Sequence, residues 1–348
     1  MTRWFRIGLV VLLSALAHAQ AQETEEEPAA DAAETAATAV DTVKTLTLQL
    51  KWSPQTQFAG YYLAQDQGYY AAEGLTVTIL PGGPEVDPND VIRNGQADII
   101  VQWLPAALVA RQQGLNLVNI AQIFQFSGQT LACRKDAGIE TEEDLRGKRL
   151  AVAMAGNQYA ILAWLDLLGI PTDGSAQGVT VIDRGEGVGD LNDGTADCVS
   201  AQTYNELELL TRIGFNEGNL TVFYLQGLGA ATLQDGLYVT EQSLGDPAMV
   251  DKLARFIRAS LRGWRIAVAK PESATDIVMR QMTAPDASRD HQSAMLDEVR
   301  KLVGPTDDFL GLLVPEDYDA SVAILIDAGI VPGAPPAGWT HSVWLQAQ

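Results

Sequence analysis

Two stretches of this chain repeat one pattern about a hundred residues apart. Asn94-Gly95-Gln96-Ala97-Asp98 runs into the apolar Ile99–Val101, and Asp193-Gly194-Thr195-Ala196-Asp197 runs into Cys198–Ala201. Each copy follows a helix-like segment. Gly supplies the left-handed turn that ends a helix, and each apolar run is short enough for a buried parallel strand. Gln and an aromatic come next in both: Gln102-Trp103 in the first copy, Gln202 and Tyr204 in the second. Two such units predict two similar α/β lobes, which a length of 348 residues accommodates. Open parallel sheets bind ligands beyond the carboxyl ends of their strands, so both Gln/aromatic pairs are expected at one shared cleft.

The amino terminus points to export. Arg3 and Arg6 precede an apolar run from Ile7 to Ala17, and Ala17-His18-Ala19 or Ala19-Gln20-Ala21 offers small residues for cleavage. Residues 1–21 therefore read as a secretory signal peptide, the run being too short to span a bilayer. No Cys stands there to carry a lipid anchor. Residues 22–44 read as an acidic, disordered linker, with seven acids between Gln22 and Val43 and no base before Lys44. A net charge of −21 argues against nucleic acid or an anionic membrane surface as partner. Cys133 and Cys198 are the only cysteines. An exported location permits a disulfide between them; two buried free thiols are the alternative.

Strands are expected at Thr45–Lys51, Leu75–Leu80 and Ile99–Gln102, alternating with helices at Phe58–Gln67 and Pro105–Gln113, with a helix starting at Asp87-Pro88. Val118–Phe124 and Gln129–Arg134 would carry the chain between lobes. Arg149–Met154, Val179–Ile182 and Asp197–Ala201 are the strands of the second lobe, with helices at Tyr159–Leu168 and Asn205–Ile213. Thr141-Glu142-Glu143-Asp144 fits a capping box. Leu220–Leu225 and Gly236–Thr240 make the return crossing. Lobe 1 thus takes residues 45–130 plus 228–348, and lobe 2 takes 131–227. Val250, Leu253, Ile257, Leu261, Trp264 and Val268 form one apolar helical stripe, which assigns Trp264 to the core. Trp339 and Trp344 fall in an irregular tail.

Catalytic patterns are missing. After export two His remain, His291 and His341, both in the C-terminal helical part and away from the strand ends. Neither Cys has a His nearby, and no nucleophile elbow, phosphate loop or metal-ligand spacing occurs. The strand ends carry aromatics and amides instead. Trp52, Gln55, Gln57, Phe58 and Tyr61 follow the first strand, and Gln102-Trp103 the third. Asn157 and Tyr159 follow the first strand of lobe 2, and Tyr204-Asn205-Glu206 its last. Aromatic faces stack on flat ligands, amides read ring nitrogens and carbonyls without adding charge, and Glu206 offers a charge-assisted acceptor.

Lys51-Trp52-Ser53-Pro54 through Phe58-Ala59-Gly60-Tyr61-Tyr62, then Gly68-Tyr69-Tyr70 and Glu73-Gly74-Leu75, resembles periplasmic binding proteins for thiamine-pyrimidine precursors. The wider nitrate/sulfonate/riboflavin-type group of ABC-transporter binding proteins, and the related pyrimidine synthases, are similar too. The likeness extends over Asp98–Gly114, Thr141–Val152 and Tyr204-Asn205-Glu206, roughly two thirds of the chain. It implies a type II periplasmic binding fold: two α/β lobes with mostly parallel sheets joined by two crossover segments. It also implies a periplasmic solute-binding protein that delivers a small planar nitrogen heterocycle to an inner-membrane ABC permease with its ATPase. By the resemblance, Trp52 and the cleft tyrosines pack on the ring and an acid matching Glu206 pairs with a ring amino group. The pyrimidine binders tend to carry Asn, Asn and His where this chain has Gln55, Gln57 and Phe58, which loosens the pyrimidine assignment. The cysteine-rich motif and active-site His of the eukaryotic synthases have no match here. The expectation is a monomeric, cofactor-free binding protein without catalytic activity. An alkanesulfonate or nitrate-type anion binder is the alternative, disfavoured because the candidate cleft residues include no base.

Overall fold

The computed structural model describes residues 44–154, 156–185, 187–283, 287–306 and 309–348. The expected signal peptide lies outside the described residues, as does the linker except for Lys44, which opens the first strand. Among the described residues ten strands follow in chain order: β1 Lys44–Gln49, β2 Leu75–Leu80, β3 Ile99–Gln102, β4 Leu117–Gln122, β5 Gln129–Arg134, β6 Arg149–Val152, β7 Thr180–Asp183, β8 Cys198–Gln202, β9 Leu220–Tyr224 and β10 Gly236–Thr240. They form two five-stranded sheets, ordered β2-β1-β3-β10-β4 and β7-β6-β8-β5-β9.

The two orders match position for position. In each sheet the first three strands are parallel, as the β-α repeat requires. The fourth strand runs antiparallel to both neighbours because it arrives from the other lobe. Both sheets are therefore mixed. The repeated sequence occupies β3 and β8, the equivalent central strands. Gly95 and Gly194 both sit in the left-handed region, at φ 69° and 78°. The Asp that closes each copy then clamps the neighbouring parallel strand. The Asp98 carboxylate accepts from Thr47 N at 2.8 Å, while Asp98 N donates to Thr47 O at 3.0 Å. Asp197 does the same to Arg149, with both bonds at 2.8 Å. One sequence pattern thus performs one structural task twice.

Lobe 1 is the larger because the C-terminal helices pack on it. The helix Pro247–Ala269 buries Leu253, Ile257, Leu261 and Trp264, with Val250 and Val268 at its margins, which is the expected stripe. It approaches the helix Ala59–Asp66 closely: a methyl group on Gly263 would strike the carbonyl of Gly60, and one on Gly60 would strike the indole of Trp264. The C-terminal tail departs from its expected irregularity. Trp344 lies in a short helix, Ser342–Gln346, buried, and its indole donates to Leu310 O at 2.9 Å; Trp339 bridges to Asn119 on β4. Short tail segments carry too little periodicity for a sequence pattern to reveal such docking.

Lobe 2 is closed covalently. Cys133 and Cys198 face each other across β5 and β8 and form a disulfide, with Cα atoms 4.0 Å apart. Arg134 N donates to Asp197 O, which makes Cys133/Cys198 a non-hydrogen-bonded pair, the antiparallel position where side chains come closest. The bond closes a loop with a sequence separation of 65. Replacing both residues by Ala should lower the unfolding free energy by about 2–5 kcal/mol in non-reducing denaturant titrations. An unchanged midpoint and slope would show that the cross-link contributes nothing to lobe stability.

Candidate functional site

The loops beyond the two sheets flank a partly open cavity of about 40 Å³ between the lobes. Lobe 1 supplies Lys51, Trp52, Gln55 and Gln57 from the loop after β1, and Trp103 from the end of β3. Lobe 2 supplies Asn157 from the loop after β6, Arg184 from the end of β7, and the run from Ser200 on β8 to Glu206, apart from Thr203. Gln129, the first residue of β5, completes that side together with Ala153.

Of the residues expected at the cleft, Trp52, Gln55, Gln57, Trp103, Asn157, Tyr204, Asn205 and Glu206 line this cavity. Four do not. Phe58 and Tyr61 are fully buried in the lobe 1 core, where Tyr61 packs edge-on against Trp264, because the helix they enter turns that face toward the C-terminal helix. Tyr159 packs beside the cluster of Leu104, Leu108 and Leu325. Gln102 is spent inside lobe 1, accepting from Trp103 N at 3.0 Å and donating to Asn89 at 3.2 Å. Its counterpart Gln202 does reach the cavity.

Two cations that the sequence argument overlooked face the same space. The first, Lys51, falls in the loop because β1 ends at Gln49, two residues earlier than alternation suggested. Arg184 directly follows β7, so the strand-end rule would have found it. Gln129 escaped for a different reason: it begins an antiparallel strand, whose amino end lies level with the carboxyl ends of its neighbours. The absence of a base, which disfavoured an anion at the sequence level, does not hold.

These charges are matched within the protein. Arg184 pairs with Glu206 at 2.9 Å, both side chains being less than a tenth exposed. Glu206 also accepts from Gln202 N at 2.9 Å and from Asn205 at 3.3 Å. Both its oxygens thus have protein partners, Oε1 two and Oε2 one. Behind the lobe 1 wall lies Asp235, buried and held at φ 49° in the return crossing. Its two oxygens accept from the Trp103 indole and the Gln57 amide, each at 2.7 Å. Gln57 in turn accepts from Gln55 at 2.6 Å. One carboxylate therefore sets the orientation of three cavity-lining side chains. His291 also belongs to this region, contrary to its expected remoteness: it joins lobe 1 to lobe 2 by contacting Glu208 and, at 3.0 Å, Asn205.

Burial pushes the Asp235 carboxyl up to about 6, against the pull of its two hydrogen bonds and Lys51. Burial likewise lowers Lys51 to about 8, opposed by Asp87 and Asp235. Tyr204 is raised well above its ordinary value by burial and nearby acids, and remains a neutral phenol. The folded protein holds the Asp235 proton more tightly than the unfolded chain does. Stability from this group is therefore complete below about pH 4 and is lost as pH rises through about 6. Lys51 acts in the opposite sense, stability returning from about pH 8 toward its ordinary 10.5. Between pH 4 and 7 the unfolding free energy of the native chain should fall relative to Asp235→Asn by on the order of 3 kcal/mol. Denaturant titrations across that range, taken as a difference between the two chains, give the answer; a flat difference contradicts the linkage.

Comparison with known proteins agrees with this architecture. The family model described as NMT1/THI5 like matches residues 55–274. The riboflavin-binding protein RibY of Chloroflexus aurantiacus is 28% identical over 290 residues, covering 80% of this chain and 78% of its own. The formylaminopyrimidine-binding protein of Halalkalibacterium halodurans is 23% identical over 244 residues, 69% of this chain and 71% of its own. A 4-amino-5-hydroxymethyl-2-methylpyrimidine phosphate synthase of Legionella pneumophila is 25% identical over 245 residues, 67% and 72% of the two chains. Among solved structures, the ligand-binding component of an ABC-type import system from Staphylococcus aureus superposes with a TM-score of 0.65 at 12% identity, covering 88% of this chain and 99% of its own. That likeness shows the shared fold. With the matched segment spanning most of both lobes, the chain belongs to the NMT1/THI5-like family.

Proposed function

We propose that this protein is the solute-binding component of an ABC importer and captures a small, planar, uncharged nitrogen heterocycle between its lobes. The observation that carries this reading is the composition of the cavity wall: Trp52, Trp103 and Tyr204 interleaved with the amides Gln55, Gln57, Gln129 and Asn157. The cavity of about 40 Å³ is well below the roughly 300–1,000 Å³ of small-molecule sites, so cargo is expected to enter with the lobes further apart. The relatives named for riboflavin and formylaminopyrimidine support a flat heterocycle as cargo. Hinge closure of two lobes around such a cargo would present a distinct surface to a permease. The charged amino-terminal pattern and apolar run support export to the periplasm. A binding role is favoured over catalysis by the wall itself: its described residues are mostly aromatic and amide side chains, and the charged pair Arg184–Glu206 is spent within the protein.

Lys51 and Arg184 favour a second reading, an anion such as an alkanesulfonate. Charge balance weighs against it. Arg184 is matched by Glu206, and Lys51 feels the charge of Asp235 and Asp87, so the surroundings offer no net positive charge for a free anion. Calorimetry of the purified chain with riboflavin, a 4-aminopyrimidine and an alkanesulfonate separates the two. One heterocycle should bind at one per chain, and Trp103→Ala should weaken it by about 1–3 kcal/mol, the range for base–aromatic stacking. Saturable binding of the sulfonate alone would overturn the proposal.

A further inference from the structure

Within that reading, the lobe 2 wall specifies which edge of the ring it accepts. Gln129 donates its amide to the carbonyl of Asn157 at 2.7 Å, and Asn157 donates its own to the carbonyl of Met154 at 2.9 Å. Both partners are acceptors, so the nitrogen of each amide is the end engaged and the oxygen is the end left over. Gln129 Oε1 and Asn157 Oδ1 are buried and have no hydrogen-bond partner among the described residues. The neighbouring Arg184 spends two nitrogens on Glu206 and Gly187, while its buried Nε has no partner among the described residues. All three residues line the one cavity. Buried polar groups left unpaired are costly, and a ligand that pairs them gains what they lack.

We propose that lobe 2 selects a ligand bearing N–H donors for Gln129 Oε1 and Asn157 Oδ1, together with a ring nitrogen or carbonyl that accepts from Arg184 Nε. Ring N–H, amino and lactam edges have that complement. Sulfonates and nitrate, which only accept, leave both amide oxygens unpaired. The inference rests on the cavity being a heterocycle site and assigns an acceptor role to Gln129 and Asn157.

The test pairs each heterocycle with a version that has lost a donor: riboflavin with its N3-methyl derivative, and a 4-aminopyrimidine with its N,N-dimethyl derivative. For whichever compound binds, methylation should weaken affinity about tenfold or more on the native chain. In Asn157→Leu and Gln129→Leu the penalty should shrink, and Asn157→Asp, which keeps an acceptor, should retain it. Thermal melts establish that each variant is folded. Equal affinity for methylated and unmethylated partners overturns the inference while leaving the heterocycle reading in place. So does a methylation penalty that persists undiminished in both Leu variants, since that is a steric effect. Binding of no heterocycle at all overturns the site reading and this inference with it.

Discussion

The cavity exists because the chain crosses between its sheets twice and the two crossings are tied to each other. Gln234, in the return crossing, accepts from Gly128 N in the outgoing one at 2.7 Å and donates to Gln202 at the end of β8 at 3.2 Å. Gln122, at the end of β4, donates to Gln234 O at 2.5 Å. Gly128 must be small, since a methyl group there would press on Leu302, Thr203 and the Gln202 side chain. These bonds run between buried amides, where an unmade partner is costly, so the knot holds the loops of both lobes at a defined separation. Tyr204 extends the join by packing edge-on against Phe124, 6.1 Å between ring centres.

The electrostatics of the site follow from that placement. Asp235 sits next to Gln234 in the crossing, and its left-handed backbone is a conformation that Asp tolerates better than most side chains. The turn brings its carboxylate behind the lobe 1 wall, where it fixes the Trp103 indole and the Gln57 amide. Lobe 2 answers with Arg184 and Glu206, a buried pair whose remaining valences are mostly met by backbone and by Asn205. Buried charges are tolerated when paired and hydrogen-bonded in this way. The result is a wall rich in fixed dipoles and poor in net charge.

The repeated motif shows how far local pattern reaches. In both lobes Asp-after-Gly clamps the adjacent strand, and in both the Gly is left-handed. Past the strand the copies diverge. Gln102 turns inward to Asn89 and Trp103, whereas Gln202 meets the cavity and Gln234. The same residue at the same register serves different ends, one side chain turning to its own lobe and the other to Gln234 in the crossing.

All ten strands were legible as short apolar or alternating runs between turn residues, and the stripe of the helix Pro247–Ala269 announced its own burial. Those signals are local: periodicity, capping and glycine turns act within a few residues of themselves. The sequence therefore determined the α/β elements, their order, and the loops that carry the site. Tertiary structure decided what each side chain in those loops does. It sent Phe58 and Tyr61 into the core, gave Arg184 to Glu206, drew His291 to Asn205, and joined Cys133 to Cys198. Each of those outcomes depends on a partner far away in the chain, and no pattern within one segment records where that partner will lie.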